Sequence, residues 1–241
     1  MPERTTRWKR RLAEMMSLGG RVKNPLALFL LLAVFGTVGG FLQLASEIRE
    51  NETRSFDQAV ILAMREPGHP DNPIGSPRVE EIARDLTALG GVTVLTLVSL
   101  TAFGAAVFSG RAKLGGAAIV AVIAGSVTTS LLKSGYARPR PDLVEHGTWV
   151  YNASFPSGHS MMSAVVYLTL AILLARIQQR HAVRVFIVGV AVLIMVLVGV
   201  SRVYLGLHWP TDVFAGWFLG AAWAVLFWLL AMRIDPRPPR R

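Results

Sequence analysis

"LGGAAIVAVIAGSVTTSLLKSGYARPRP", residues 114–141, changes character at one position. Through Leu132 it carries no charge; from Lys133 it sets Lys133, Arg138 and Arg140 into a Pro-rich turn. The uncharged part is close to the roughly 20 residues that cross a bilayer as a helix, the form in which every backbone polar group is satisfied without water. Runs of similar length recur at Leu26–Ser46, Leu89–Phe108, Ser160–Ala175, Val185–Tyr204 and Val213–Met232. The chain therefore reads as an all-α, polytopic membrane protein with six transmembrane helices, one domain over residues 1–241. Its composition, 52% hydrophobic with a net charge of +10, excludes a soluble nucleic-acid binder and points to a protein within a membrane. It has no cysteine, which is compatible with either redox compartment.

The first run follows a basic segment (residues 1–25, with Arg4, Arg7, Lys9, Arg10 and Arg11) that resembles the start of a secretory signal. Its apolar part is longer than a signal core and more spans follow, so it is expected to stay as an uncleaved first helix. Six spans place both termini on one side. Of the 25 Lys and Arg residues, 16 fall on that side, including Arg111, Lys113, Arg176, Arg180, Arg184 and the tail at 233–241. The positive-inside bias therefore makes both termini cytoplasmic, in an inner membrane of bacterial type. The first outer loop, 47–88, holds nine of the 15 acids. Within it Phe56, Val60 and Met64 share one helical face and Val79, Ile82, Ala83 and Leu86 another, the pattern of two short amphipathic helices at the interface. They read as a solvated cap or as a lid for substrate from the bilayer, with the turn-rich "EPGHPDNPIGSP" between them. Gly36 with Gly40 and Gly216 with Gly220 have the spacing of close helix packing.

On this topology Lys133, Arg140 and Arg202 lie at the outer face, where orientation does not call for positive charge. Ionisable groups at the edge of the hydrocarbon are functional candidates by default. Three such cations repel one another unless an anion joins them, and phosphate matches the arginine fork. Pro156-Ser157-Gly158-His159 opens the fourth span with a capping Ser and a Gly, so that free N–H groups of a helix start can add to an anion site. His208 precedes Pro210, a natural first helical residue, with Asp212 in the first turn of the sixth span. A carboxylate on one ring nitrogen fixes the tautomer and leaves the other free to attack, which makes His208 the candidate nucleophile and Asp212 its partner. His159 is then the candidate general acid. The same cations raise the electrostatic cost of a divalent ion beside His159, His208 and Asp212, so neither metal nor cofactor is expected.

These residues occur as "KSGYARPRP", "PSGH" and "SRVYLGLHWPTD", in that order, and the sequence so resembles the type 2 phosphatidic acid phosphatase superfamily of integral-membrane lipid phosphate phosphatases. The motifs cover residues 133–216, and the six-span pattern extends the resemblance over most of the chain. The resemblance implies a metal-independent phosphatase with a phosphohistidine on His208, His159 as acid, Asp212 as partner, and Lys133, Arg140, Ser157, Gly158 and Arg202 holding phosphate. Arg138 falls in the motif's variable spacer and is not assigned to that shell. In bacterial relatives the substrates include undecaprenyl pyrophosphate, phosphatidylglycerol phosphate, phosphatidic acid and lipid A phosphates; the first two are the leading expectation.

Glu145 and His146 are placed to shape a headgroup pocket, whereas His69 and His181 read as solvated. Met161 and Met162 read as packing residues, Trp217, Trp223 and Trp228 as facing lipid or neighbouring helices, and Trp209 and Tyr204 as markers of the outer interface. The same phosphohistidine would also serve a lipid phosphotransferase. A transporter of anionic lipid needs a polar route through its helices, and the spans hold few ionisable groups away from one end. The sequence does not fix the oligomeric state.

Overall fold

A computed structural model describes residues 25–142 and 153–235. Glu145, His146, the basic N-terminal segment and the tail beyond Asp235 lie outside the described residues. Eight helices follow in order: α1 (Pro25–Arg49), α2 (Arg54–Ala63), α3 (Pro77–Ala88), α4 (Val92–Phe108), α5 (Ala112–Tyr136), α6 (Gly158–Ile177), α7 (His181–Tyr204) and α8 (Pro210–Ile234). Between α2 and α3, β1 (Arg65–Glu66) pairs antiparallel with β2 (His69–Pro73).

Among the described residues five helices, α1 and α5 to α8, are long and apolar enough to cross a membrane, and a sixth crossing arises there if α3 and α4, bent by 46°, count as one broken span. The expected second span at Leu89–Phe108 thus starts later, at Val92, and leans on α3 for its length. The break falls at Gly90-Gly91 for a packing reason. A Cβ on Gly90 would lie 2.6 Å from Val198, 3.2 Å from the His159 carbonyl and 3.3 Å from the His159 Cβ, so only glycine lets this corner close on the start of α6.

In lipid, apolar burial between helices gains little, because the tails are as apolar as leucine; close approach and dispersion hold the bundle instead. Gly216 and Gly220 supply it. A Cβ on Gly216 would meet the Ser157 carbonyl and the Met161 nitrogen at 2.9 Å, and one on Gly220 the Met161 carbonyl at 2.7 Å. The helix α8 therefore lies directly on the α6 backbone, and the expectation for this pair holds. It does not hold for the other pair: Gly36 meets nothing within 4 Å, and Gly40 only the Phe218 ring at 3.4 Å. The most enclosed span is α6, packed among α5, α7 and α8. Phe155, just before it, is fully buried between Phe41 of α1 (ring centroids 5.6 Å) and Tyr136 of α5 (4.8 Å). Met161 belongs to this core, with Met162 packed nearby in a second cluster.

The C-terminal ends of α1, α5 and α7, the N-terminal ends of α4, α6 and α8, and the whole segment from α2 to α3 meet at one end of the bundle. Both loop helices form as expected, and the structure shows which of their residues turn inward. In α2 the buried residues are Asp57 and Ile61, while Phe56 is exposed and only stacks on Phe214 at 6.4 Å. In α3 the buried residue is Ala83, and Val79 and Ile82 stay exposed. The turn-rich connector forms the hairpin, which is tied to the end of α7. Arg65 Nη1 donates to the Tyr204 carbonyl and the Tyr204 hydroxyl to the Ile74 carbonyl, both at 2.8 Å.

Candidate active site

Each motif residue is delivered by an element end. Helix α5 stops at Ala137, a non-glycine residue in the left-handed region (φ 45°, ψ 29°) whose N–H still reaches the Lys133 carbonyl at 3.2 Å. That conformation costs an alanine on the order of 1 kcal/mol; it ends the helix sharply and turns residues 138–142 across the bundle. Lys133, in the last turn, lies alongside Gly158, its Nζ 3.9 Å from where a Cβ on that glycine would be, and donates to the Ala153 carbonyl at 3.0 Å.

Ser157 caps α6, its Oγ accepting from the Ser160 hydroxyl at 3.0 Å and more weakly from the Ser160 N–H at 3.4 Å. Its own N–H donates to the Asp212 carbonyl at 3.0 Å, joining the starts of α6 and α8. The first N–H groups of a helix have no intrahelical acceptor, so Gly158 and His159 present the open, positive end of α6 to the site.

His208 sits in the short turn between α7 and α8, almost wholly buried. Arg140 Nη1 reaches the His208 Nε2 at 3.2 Å and donates to the Leu207 carbonyl at 2.5 Å. Arginine has no acceptor, so Nε2 takes this bond with its lone pair and the proton resides on Nδ1. Nδ1 faces Asp212 Oδ2 at 3.4 Å and Ser154 Oγ at 3.3 Å. Asp212 Oδ2 also accepts from the Trp209 N–H at 3.0 Å and, through a short bond, from the Ser154 hydroxyl. The geometry thus holds one tautomer, with the Nε2 lone pair turned toward the cations. Burial, and then the positive fields of Arg202, Arg140 and Lys133 and the neighbouring His159, hold the His208 imidazole well below its ordinary value, so the ring is neutral.

Arg202, in the last turn of α7, is buried; its Nη1 donates to Thr87 Oγ1 at 3.3 Å, and its Nε has no partner among the described residues. An uncompensated guanidinium donor is costly to bury and calls for an anion. The half-buried His159 ring makes no hydrogen bond among the described residues. All eight expected site residues therefore gather at one end of the bundle, in three groups: His208 with Asp212 and Arg140; Lys133 against Gly158, with Ser157 and His159; and Arg202 within electrostatic range of His208.

Three residues absent from the expected set complete it. Ser154 bridges His208 and Asp212. Arg138 turns away from the phosphate shell: Nη1 donates to Asp212 Oδ1 at 2.6 Å and Thr211 Oγ1 at 2.9 Å, and Nη2 to Asp57 Oδ2 at 2.7 Å. Asp57 accepts further from the Thr211 N–H at 3.0 Å and hydroxyl at 2.7 Å. The only hint in the sequence was a carboxylate on the inner face of an amphipathic helix. Trp209, expected at the membrane interface, is instead buried beneath the Arg138 guanidinium, 5.6 Å from its ring centroid, and bonds the Pro139 carbonyl at 3.0 Å. A cavity of about 410 Å³ opens beside Arg138 and Arg140, lined also by Arg49, Arg54 and Tyr136.

Residues 114–235 match the family model described as the PAP2 superfamily. The chain is 35% identical to phosphatidylglycerophosphatase B of Bacillus subtilis over 214 residues, covering 86% of this chain and 93% of that protein. It is 32% identical to an undecaprenyl-diphosphatase of Sulfolobus acidocaldarius over 108 residues, 43% of this chain and 46% of that protein. Among solved structures, the transmembrane PAP2-type phosphatidylglycerolphosphate phosphatase of Bacillus subtilis superposes with a TM-score of 0.75 at 29% identity, over 84% of this chain and 97% of that one.

Proposed function

The chain belongs to the PAP2 superfamily and is a multi-pass membrane lipid phosphate phosphatase, and from that premise we propose that it works without a metal, through a phosphohistidine on His208, at the outer face of the cytoplasmic membrane. The carrying observation is the polarity of the His208 ring: Nδ1 toward Asp212 and Ser154, Nε2 and its lone pair toward Arg140. In the reaction Nε2 attacks phosphorus in line with the departing lipid oxygen, and Asp212 stabilises the charge that builds on the ring. Lys133, Arg140, Arg202, Ser157 and the Gly158 amide hold the equatorial oxygens, where charge stabilisation contributes most to phosphoryl transfer. Arg140 exchanges its bond to Nε2 for one to phosphate as substrate enters. His159 protonates the leaving oxygen, a role worth about 10²–10⁴ in rate. It then takes a proton from the water that releases phosphate from His208.

The cations that favour phosphate also disfavour a divalent ion in the same place. The excess of Lys and Arg on the terminal side supports cytoplasmic termini and an outward site. A lipid whose phosphate lies at headgroup depth reaches such a site without leaving the bilayer. Similarity to proteins named phosphatidylglycerophosphatase B and undecaprenyl-diphosphatase supports phosphatidylglycerol phosphate or a polyprenyl pyrophosphate as substrate. The test is phosphate release by the chain in lipid nanodiscs, across these lipids, phosphatidic acid and a lipid A phosphate, with excess EDTA. EDTA-resistant release that vanishes in His208→Ala is expected; release requiring metal, or surviving that substitution, overturns the mechanism. A reporter at the C-terminus reading non-cytoplasmic would overturn the orientation.

A further inference from the structure

We infer that Asp57 and Arg138 are positioning residues for the reaction, through which the loop helix α2 governs the carboxylate partner of His208; the inference rests on the phosphohistidine reading above. Asp57 and Asp212, both fully buried, sit on opposite nitrogens of one guanidinium, at 2.7 and 2.6 Å. The planar fork of Arg138 lets one side chain serve both, which a lysine ammonium does not reproduce.

The arrangement does two things. By occupying Oδ1 of Asp212, Arg138 fixes the carboxylate plane and leaves Oδ2 for His208 Nδ1, Ser154 and the Trp209 N–H. By claiming the other half of the guanidinium, Asp57 keeps Arg138 from neutralising Asp212, so that Asp212 retains charge to stabilise the ring as it bonds phosphorus. Asp57 also holds Thr211, next to Asp212, by its N–H and its hydroxyl, which sets the first turn of α8. Backbone geometry supports the same reading: the left-handed Ala137 aims Arg138 inward, and the Arg138 carbonyl accepts from the Ser154 N–H at 2.8 Å, so one residue links the first motif, the approach to the second, and the third. The helix α2 is thereby part of the catalytic framework rather than a detachable lid.

The test uses the full-length chain in nanodiscs with phosphatidylglycerol phosphate and with a polyprenyl diphosphate, comparing Asp57→Asn, Arg138→Gln, Arg138→Lys, the Asp57→Asn/Arg138→Gln double variant and His208→Ala. Asp57→Asn should lower kcat about tenfold and Arg138→Gln about a hundredfold, the range of lost charge-assisted hydrogen bonds. KM and the inhibition constant of orthovanadate should stay within threefold, because the phosphate-holding cations are untouched. Arg138→Lys should recover only part of the loss. Because Asp57 acts on the Asp212 carboxylate through Arg138, and the amide oxygen in Asp57→Asn can still accept the Thr211 N–H, the double variant should be only slightly slower than Arg138→Gln alone, far short of the product of the two losses. A role confined to folding would instead lower the melting temperature and the fraction of vanadate-binding sites, with normal kcat per site, and that result overturns the inference. So do multiplicative losses in the double variant. If Asp57→Asn does not fold, Arg138→Lys carries the same kcat-against-KM test. Wild-type turnover lost in His208→Ala, with kcat unchanged in the Asp57 and Arg138 variants, overturns this inference alone. Absence of wild-type release from both lipids overturns the phosphatase reading and this inference with it.

Discussion

Arg111 and Arg202 are equally buried, each 7% exposed, at opposite ends of the bundle, and they have opposite surroundings. At the α4–α5 corner Arg111 pairs with the buried Asp235 at 3.0 Å, and Arg176 of α6 donates to the Asp235 carbonyl, so this end ties α5, α6 and the end of α8 together. At the other end Arg202 has no carboxylate in contact among the described residues, and its Nε donates to nothing there. A buried cation that owns a counter-ion is architecture, and breaking the pair leaves a stranded charge. One held without a counter-ion spends folding stability to await an anion. The same contrast repeats within the site: Arg138 is saturated by Asp57 and Asp212, whereas Lys133 donates to a carbonyl, that of Ala153.

The comparison breaks most visibly at Asp212. Asp212→Asn should lower kcat by about 10⁴, the scale seen when an orienting aspartate loses its charge. The chain should remain folded, since Arg138 retains Asp57. Phosphate release within tenfold of wild type would show that the charge of Asp212 does not act on His208. Next, Arg202→Gln should lower kcat/KM by about 10²–10³, the value of one donor to a developing anion. It should leave the melting temperature equal or higher, because a lone buried charge is removed. Arg111→Gln is the inverse. Its kcat should stay within a few fold, while unfolding stability falls by about 3–5 kcal/mol because Asp235 is left with one cationic neighbour fewer. Melting and turnover measured side by side on these two variants test the distinction; both responding alike would erase it.

The spans and the motif residues were legible because their constraints are local. Lipid demands about 20 apolar residues per crossing, and cations at a span's end need a reason within their own few residues. Gly216 and Gly220 were legible for the same cause, a spacing on one helix. What escaped lies across the chain. Asp57 looked like one acid among nine in an acidic loop, because its partners Arg138 and Thr211 stand 81 and 154 positions away. Without them nothing in α2 singles out Asp57 beside the apolar face of Phe56, Val60 and Met64. Ser154 was hidden likewise, its role depending on His208, 54 positions away. The break between α3 and α4 depends on His159 and Val198 crowding Gly90, which no period in residues 77–108 encodes.

The smallest effect is on pH dependence, and it reaches the same contrast through His208. Nucleophilic imidazole must be neutral, and an ordinary histidine titrates near about 6.5. Burial, reinforced first by Arg202 and then by Arg140, Lys133 and His159, lowers the His208 value well below that. A lowered value means the ring remains unprotonated as pH falls through 6.5, so kcat/KM, once divided by the separately measured ionisation of the substrate phosphate, should not fall between about pH 7.5 and 5.5; His159, which must carry a proton to act as the acid, can only raise it over that range as pH falls. Arg202 is the largest of the charged neighbours acting on the ring. Its replacement by Gln should therefore move any acid limb upward, by less than burial alone holds it down, while Arg111→Gln at the far end should not move it. An acid limb near pH 6.5 in the wild type that survives the correction would mean that burial and these neighbouring cations do not hold His208 neutral. An equal shift from either arginine would mean that net charge rather than placement sets the response.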